Sequence, residues 1–206
     1  MMQIYRDIEQ GTPEWFAVRA GIPTASMYAT VMASGKGGAA SKTRRTYMLK
    51  LAGERLTGEP MDNYSNHHME RGHEHEPLAR DAYALLMDVE PEQVGFIRTG
   101  DTGASPDSLV GDNGLVEIKS KLAHLHLDVL DRDEVPCEHT VQVQGQIWVA
   151  EREWCDFVSY CPRLELFVKR VYRDEEKIQE IATAVDKFNY ELNEFVARFQ
   201  TVNVEF

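Results

Sequence analysis

The sequence has few cysteines, no long hydrophobic run and no excess of basic residues, and each shortage excludes a class of protein. Its three cysteines are odd in number and form no Cys-x-x-Cys pair, so neither a disulfide framework nor a zinc site is predicted. No apolar run approaches the ~20 residues of a membrane helix, and the N-terminal residues do not form a secretory signal. We therefore expect a soluble cytoplasmic protein with reduced thiols.

The charge balance argues against a protein that coats DNA indiscriminately. The net charge is −12 over 206 residues, and such a chain repels a polyanion. Basic residues nevertheless gather in one window, opposed there only by Glu54: Lys36, Lys42, Arg44, Arg45, Lys50 and Arg55. This window is either a solvated helix face or a local binding patch, and charge alone does not decide between them. The length suits one domain spanning residues 1–206.

Several helices are predicted from caps and apolar spacing. The first runs from Thr12 to Gly21, the second from Pro23 to Ala33 with Thr24 as its cap, and the third from Ser41 to Gly58. A helical pattern over residues 66–87 has Leu78, Ala82, Leu85 and Leu86 as its apolar positions, with a kink expected at Pro77. In the last helix the predicted apolar stripe is Ile178, Ile181, Val185, Phe188, Leu192, Phe195 and Phe199.

The stretch 105–121 has the pattern of a β-hairpin. Gly111-Asp112-Asn113-Gly114 is strong turn chemistry between apolar residues. We therefore predict a strand before this turn and a second strand from Leu115 to about Ser120. Because side chains alternate along a strand, Glu117 and Lys119 are expected on one face.

The hairpin brings two carboxylates and an amine together. Asp107 lies ten residues before Glu117 and returns alongside it, while Ile118 points into the core. The two carboxylates and the Ile118 main-chain carbonyl make an all-oxygen site suited to Mg²⁺ or Mn²⁺ rather than zinc. Lys119 adds a positive group that favours deprotonation of a water, as phosphodiester hydrolysis requires. The bare pattern is short, however, and by itself favours a solvated hairpin whose ion pair is worth under ~1 kcal/mol.

The flanking residues favour a metal site over a solvated hairpin. Ser105-Pro106-Asp107 followed by Gly114-Leu115-Val116-Glu117-Ile118-Lys119 resembles the core of the λ-exonuclease family, the YqaJ-like viral recombinases and phage alkaline exonucleases of the PD-(D/E)xK nuclease superfamily. Three other segments resemble motifs of this family in the right order: Trp15 to Ser26, Gly72 to Glu76, and His139 to Trp148. Each motif is weak alone, but together they cover nearly the whole chain.

The resemblance implies a fold of mixed α/β class, with a restriction-endonuclease-like core in which a central mixed β-sheet is flanked by α-helices. It also favours a helix over residues 140–149, where the β-branched residues taken alone suggest a strand.

Roles at the metal site are likewise implied by the resemblance. Asp107 would bridge two Mg²⁺ ions, with Mn²⁺ as an alternative, while Glu117 and the Ile118 carbonyl complete the first site. Glu76 would support the second ion, although its position before Pro77 disfavours regular helix there. Lys119 would orient and activate the attacking water.

Further positions match family residues that contact DNA or the active site. Gln142 is implied to form a hydrogen bond within the active site, and Met69 falls where the family has an apolar wedge that splits the duplex end. The 5′-phosphate contacts of the family match Arg19, Ser26 and Ser105. If the family's ring forms, the basic window, with Lys36, Arg44 and Arg45, faces its DNA channel.

The activity implied by the family is Mg²⁺-dependent 5′→3′ exonuclease action on linear double-stranded DNA, which releases mononucleotides and leaves a 3′ overhang. The family forms ring-shaped homotrimers threaded by DNA and acts with a single-strand annealing protein in recombination. A phage- or prophage-encoded protein in a bacterial cytoplasm is expected. Two alternatives remain: a structure- or sequence-specific endonuclease of the same superfamily, and a non-catalytic DNA- or protein-binding module with a degenerate site.

Overall fold

The computed structural model describes residues 1–35, 41–61 and 67–200, with only the backbone of residues 67–71 and 73. The strands are β1 (Met2–Tyr5), β2 (Phe96–Thr99), β3 (Thr102–Ala104), β4 (Ser108–Val110), β5 (Gly114–Ser120), β6 (Trp154–Tyr160) and β7 (Phe167–Tyr172). The α-helices are α1 (Pro13–Arg19), α2 (Tyr28–Met32), α3 (Lys42–Thr57), α4 (His67–Met87), α5 (Ala123–Arg132), α6 (Cys137–Val149) and α7 (Glu175–Gln200). None of the helices in these ranges is both long and apolar enough to cross a membrane.

The strands form two sheets. Three of them pair antiparallel in the order β1-β2-β3, and four pair in the order β4-β5-β6-β7. In the second sheet β5 is antiparallel to β4 and parallel to β6, and β6 is antiparallel to β7. The predicted hairpin and the mixed sheet are therefore confirmed, with a second, smaller sheet beside them.

The four-stranded sheet is covered on both faces. A parallel strand pair needs a crossover connection, and α5 and α6 provide it between β5 and β6. The helix predicted by resemblance over residues 140–149 is thereby confirmed as part of α6. On one face Leu115 and Phe157 join a core with residues of α3, α6 and α7. The opposite face packs against α4 through these buried residues: Ala79, Tyr83, Val116, Ile118 and Val158.

The helix ends follow the predicted caps with one exception. The hydroxyl oxygen of Thr12 accepts a hydrogen bond from the Trp15 N–H at the start of α1, and Gly58 ends α3 with φ of 74°. Thr24 makes no capping hydrogen bond. Its hydroxyl lies 3.3 Å from that of Ser26. The single helix predicted from Pro23 to Ala33 is instead a 3₁₀ turn, Ala25–Met27, followed by the short α2.

The predicted apolar face of α4 is wrong. Leu78, Leu85 and Leu86 are 55%, 87% and 60% exposed. The residues that meet the sheet are instead Ala79 and Tyr83, which are fully buried. The apolar positions chosen from the sequence fit helical spacing, but the sheet contacts a face rotated by about one residue, or 100°.

Two smaller expectations about helices also need correction. Pro77 lies inside one helix, as predicted, but Glu76 is helical although the position before a proline disfavours helix. In α7, Val196 is buried while Phe199 is 52% exposed, so the apolar stripe ends on a different residue from the one predicted.

Candidate active site

Three of the predicted site residues converge where the hairpin meets the end of β5. The Asp107 N–H donates to the Val116 carbonyl at 3.0 Å, and its Oδ2 accepts from the Ile118 N–H at 2.5 Å. The Lys119 Nζ lies 2.5 Å from Glu117 Oε1. Because Glu117 is only 2% exposed, this is not the exposed surface pair that the short pattern also allowed.

Two glutamines of α6 fix the Glu117 carboxylate. Gln142 donates from Nε2 to Oε1 at 2.6 Å, and Gln146 donates from Nε2 to Oε2 at the same distance. Gln142 therefore contacts Glu117, and so does Gln146, which was not predicted. The signal for it was spacing, since residues four apart on a helix lie on one face.

The charges of this cluster affect one another. Burial, followed by the nearby carboxylates of Glu117 and Glu76, raises the pKa of Asp107 well above its usual range. Burial lowers the pKa of Lys119, but the carboxylates of Glu117 and Asp107 outweigh it, so the net shift is upward. Lys119 is therefore a fixed ammonium group in this arrangement, not a free base.

The oxygens at this end of β5 suit a divalent cation. Carboxylates of Asp107 and Glu117 and the Ile118 carbonyl are hard ligands of the kind that Mg²⁺ and Mn²⁺ prefer. Burial first, and then the charges of Glu117 and Glu76, raise the pKa of Asp107, and a bound cation would favour the ionised carboxylate. Across residues whose side chains are described, no three His, Cys, Asp or Glu side chains group closely enough to hold an ion. Water and main-chain oxygen would have to complete the shell, as is usual for Mg²⁺.

Glu76 approaches this cluster from α4. Its charge affects the pKa values of both Asp107 and Lys119, and its Oε1 accepts a hydrogen bond from Arg80 Nη2. The structure thus brings Glu76 near the hairpin residues, as the resemblance implied, and adds Arg80 as a partner that sequence reasoning missed.

A second pair of basic groups lies beyond Lys119. Lys121 Nζ is 3.2 Å from His139 Nε2, and the His139 ring stacks on Phe157 with centroids 5.1 Å apart. Burial, then the charges of Lys119 and Lys121, lowers the pKa of His139 to about 4. His139 is therefore neutral at physiological pH.

Trp15 links two of the three predicted 5′-phosphate contacts. The Arg19 guanidinium lies 3.6 Å from the centroid of the Trp15 ring, and Trp15 Nε1 donates to Ser105 Oγ at 3.1 Å. Arg19 from α1 and Ser105 from the segment after β3 are therefore held by one indole.

Ser26 lies on a neighbouring segment. Its side chain is exposed, and the adjacent Thr24 forms a bridge with Gly103, two residues before Ser105. Thr24 and Arg19 also line one cavity of about 590 Å³. Two lysines of the basic window, Lys42 and Lys50, line the same cavity.

Other members of the basic window have partners within the chain. Arg44 contacts Glu191 of α7 at 2.6 Å, and the Arg45 guanidinium stacks over Phe195. Their contribution to DNA binding stays a prediction. Lys36 and the side chain of Met69 lie outside the described part of the chain.

The chain is similar to known nucleases in sequence and in fold. A family model described as the YqaJ-like viral recombinase domain matches residues 14–153. An alkaline exonuclease (LHK-Exo) from Laribacter hongkongensis is 38% identical, with a TM-score of 0.83 over 92% of this chain and 97% of that chain. Its complex with dAMP matches equally well. A phage-related exonuclease from Haemophilus somnus 129PT shares the fold at 15% identity and a TM-score of 0.66, over 86% of this chain and 96% of that chain. None of the curated proteins matches significantly.

The sheets, the helices that cover them and the likeness to an alkaline exonuclease define a mixed α/β protein with a restriction-endonuclease-like core. The chain belongs to the YqaJ-like viral recombinase family, as its motifs predicted. That the whole of residues 1–206 forms one domain stays a prediction.

Proposed function

We propose that this protein is a Mg²⁺-dependent exonuclease that degrades one strand of linear double-stranded DNA in the 5′→3′ direction, releasing mononucleotides and leaving a 3′ overhang. The observation that carries the proposal is the group formed by Asp107, Glu117 and Lys119, in which buried carboxylates and an ammonium group meet at one strand end. The similarity to an alkaline exonuclease supports the same activity.

Each residue of the group has a role that its contacts permit. Asp107, Glu117 and the Ile118 carbonyl would hold one ion, and Asp107 with Glu76 a second. Bound divalent ions supply positive charge that stabilises the phosphorane-like transition state and the leaving oxygen. Lys119, kept protonated by its neighbours, orients the attacking water and favours its loss of a proton. Gln142 keeps Glu117 oriented through its hydrogen bond to Oε1.

Polarity would come from the 5′-phosphate contacts. Arg19 offers a planar set of N–H donors suited to phosphate, and the hydroxyls of Ser26 and Ser105 add further donors. The cavity that contains Arg19 also contains Lys42 and Lys50, which suits a polyanion near the DNA end. The two lysines and Arg19 thus place positive charge at one cavity of a protein whose net charge is −12.

The direct test uses linear duplex DNA with either a 5′-phosphate or a 5′-hydroxyl, and closed circular duplex, each with and without Mg²⁺. We expect rapid release of mononucleotides from the 5′-phosphorylated substrate, slower release from the 5′-hydroxyl substrate, and an intact circle. Cleavage of the circle would instead identify an endonuclease, and the absence of any cleavage would leave only a binding module.

Variants connect this activity to the site. Asp107→Ala and Lys119→Ala should abolish nucleotide release while the protein stays folded. Lys169→Ala is the matched control, because Lys169 also pairs with a carboxylate, Asp133 at 2.7 Å, but on the surface. Retained activity in either site variant refutes the assignment.

Family membership supports a homotrimeric ring around DNA, acting with a single-strand annealing protein in a bacterial cytoplasm. Three exposed leucines on α4, Leu78, Leu85 and Leu86, are consistent with a face covered in an assembly. Light scattering at working concentration should give the mass of three chains, and a monomer would contradict the ring.

A further inference from the structure

Arg80 is a charged side chain placed in the interior of the protein. It lies on α4 with only 8% of its surface exposed, and a buried guanidinium is costly unless it is paired and hydrogen-bonded. The roles assigned above to the metal ligands and to the phosphate contacts do not use it. Its burial therefore requires a separate explanation.

The contacts of Arg80 join two elements of the candidate site. Its Nη2 donates to Glu76 Oε1, one turn earlier on α4. Its Nε donates to Ser108 Oγ of β4 at 3.0 Å. With its amide oriented to satisfy its neighbours, Gln93 accepts from Nη1 at 2.9 Å and from Nη2 at 3.0 Å.

The contact with Ser108 extends to Asp107. The Ser108 hydroxyl donates to the Asp107 main-chain carbonyl at 2.6 Å, so one chain of hydrogen bonds runs from Glu76 through Arg80 to the backbone of Asp107. Glu76 and Asp107 lie on different elements, and Arg80 contacts both the carboxylate of one and the neighbour of the other.

The hydrogen bonds of Arg80 also counteract an electrostatic repulsion within the candidate site. Glu76 and Asp107 are both carboxylates, and like charges that face one site repel each other. An ion shared by both carboxylates needs them close together before it binds. Arg80 opposes their separation by holding one oxygen of Glu76 with a charge-assisted hydrogen bond, and it leaves Oε2 available to a ligand.

We propose that Arg80 is a positioning residue that holds Glu76 beside Asp107 so that the two carboxylates can share a divalent ion. This inference rests on the proposed function, since it assumes that the carboxylates bind metal. It differs from a purely structural role, in which Arg80 would only join α4 to β4. A structural role predicts lower stability with unchanged metal binding, whereas positioning predicts weaker binding of one ion.

The test is a double-mutant cycle read by calorimetric titration of the metal-free protein with Mn²⁺, without DNA. Wild type should bind two ions per chain. Arg80→Met should weaken the binding of the second ion at least tenfold, while the affinity for the first ion changes little. Because Arg80 acts through Glu76, Arg80→Met should add no further loss in a Glu76→Gln background. Arg152→Met is the control, since Arg152 donates to the Gly111 carbonyl on the surface of the same hairpin.

A conservative variant covers the case in which Arg80→Met does not fold. Arg80→Lys keeps the charge but replaces the rigid planar set of guanidinium donors, which reaches Glu76, Ser108 and Gln93 from three nitrogens, by one flexible ammonium group. This variant should fold, as judged by its melting temperature without metal, and its affinity for the second ion should also be lower. The inference would be overturned if Arg80→Lys bound Mn²⁺ with wild-type affinity. It would also be overturned if the losses of binding free energy caused by Arg80→Met and by Glu76→Gln were fully additive in the double variant. No Mn²⁺ binding to the wild type would instead refute the proposed function.

Discussion

Glu117 has almost no freedom to move. Lys119 and Gln142 contact its Oε1 atom at 2.5 and 2.6 Å, and Gln146 donates to its Oε2 atom at 2.6 Å. Among the described residues, the buried Oε1 atom of Gln146 has no hydrogen-bond partner, and its Nε2 atom donates to Glu117. An enzyme that must present a carboxylate to an ion in one orientation gains from such restraint.

Replacing Gln146 tests that restraint. Gln146→Leu should reduce nucleotide release about tenfold, the lower end of the loss typical when an outer partner of a metal ligand is removed. The measurement is the initial rate on 5′-phosphorylated duplex at saturating Mg²⁺. Gln144→Leu is the matched control, because Gln144 is also buried on α6 but contacts the main chain at Tyr172 and Asp174. Both changes should lower the free energy of unfolding by about 1–3 kcal/mol, and only the first should lower the rate.

His139 predicts a pH dependence of stability. Its pKa is about 4 in the folded protein, because of burial and of the charges of Lys119 and Lys121, opposed by Glu138, against about 6.5 in an unfolded chain. The unfolded chain therefore binds the proton more tightly. The contribution of neutral His139 to stability is complete above about pH 6.5 and is lost as the pH falls towards 4.

The comparison is between wild type and His139→Gln, unfolded with urea in the absence of metal at several pH values. The difference in unfolding free energy should be constant above about pH 7 and should move in favour of the variant between pH 6.5 and 4. A difference that does not vary with pH would show that His139 is not held neutral. Other titrating groups are common to both proteins and cancel.

Sequence reasoning identified the residues whose chemistry is local to a motif and missed those whose role depends on packing. Asp107, Glu117 and Lys119 lie on one hairpin, so strand alternation was enough to place them together. Arg80 and Gln146 are polar residues in helices, where a solvated position is the usual expectation. Their burial follows from which helix face meets the sheet, and the predicted face of α4 was the wrong one.

The tight turn between β4 and β5 depends on two glycines for different reasons. Gly111 has φ of 52°, a conformation that costs other residues roughly 1–2 kcal/mol. At Gly114 the limit is space, because an added Cβ would lie 2.2 Å from the Trp154 ring. Since Gly114 begins β5 and pairs with Trp154 of β6, this contact lies at the parallel pairing.

Gly114→Ala should therefore be the more harmful substitution. We expect it to lower the free energy of unfolding by about 1–3 kcal/mol, the usual cost of overpacking, and to reduce activity by displacing β5. Gly111→Asn should cost little, because asparagine tolerates this backbone conformation. Gly72→Ala, in a helix where no described atom lies within 4 Å of the added Cβ, is the control and should be neutral or stabilising. Urea denaturation measures all three, and a neutral Gly114→Ala would mean that Trp154 moves aside freely.

At the scale of elements, the pairing of β5 with β6 was not predicted. Turn residues identify a hairpin because its strands are adjacent in sequence. The parallel partner of β5 begins at Trp154, after two intervening helices, and no local pattern specifies such a partner. The antiparallel pair β6 and β7, by contrast, is joined by a short connection, so its strands are neighbours in sequence.

For the molecule as a whole, DNA binding depends more on where the charges lie than on the net charge. The net charge of −12 opposes DNA binding, whereas Arg19, Lys42 and Lys50 share one cavity. If phosphates occupy that cavity, each contact releases counterions and adds about 0.9 to the slope of log affinity against log salt concentration.

The double variant Lys42→Ala/Lys50→Ala should reduce that slope by about 2. Binding is measured with 5′-phosphorylated duplex in Ca²⁺ at several salt concentrations, so that cleavage does not interfere. Lys177→Ala is the control, because Lys177 lies at the start of α7 beside Glu180 and lines no part of the cavity. An unchanged slope in the double variant would place the DNA elsewhere on the surface.

The parallel neighbour of β5 also has a consequence during synthesis on the ribosome. The strand that carries Glu117 and Lys119 lies between β4 and β6, and residues 154–160 must be translated before its second edge is paired. A polypeptide that stops before this point has the β4–β5 pair and its carboxylates and amine, but it leaves the second edge of β5 unpaired. The strand that completes the support of the candidate site is therefore made about 35 residues after the site residues themselves.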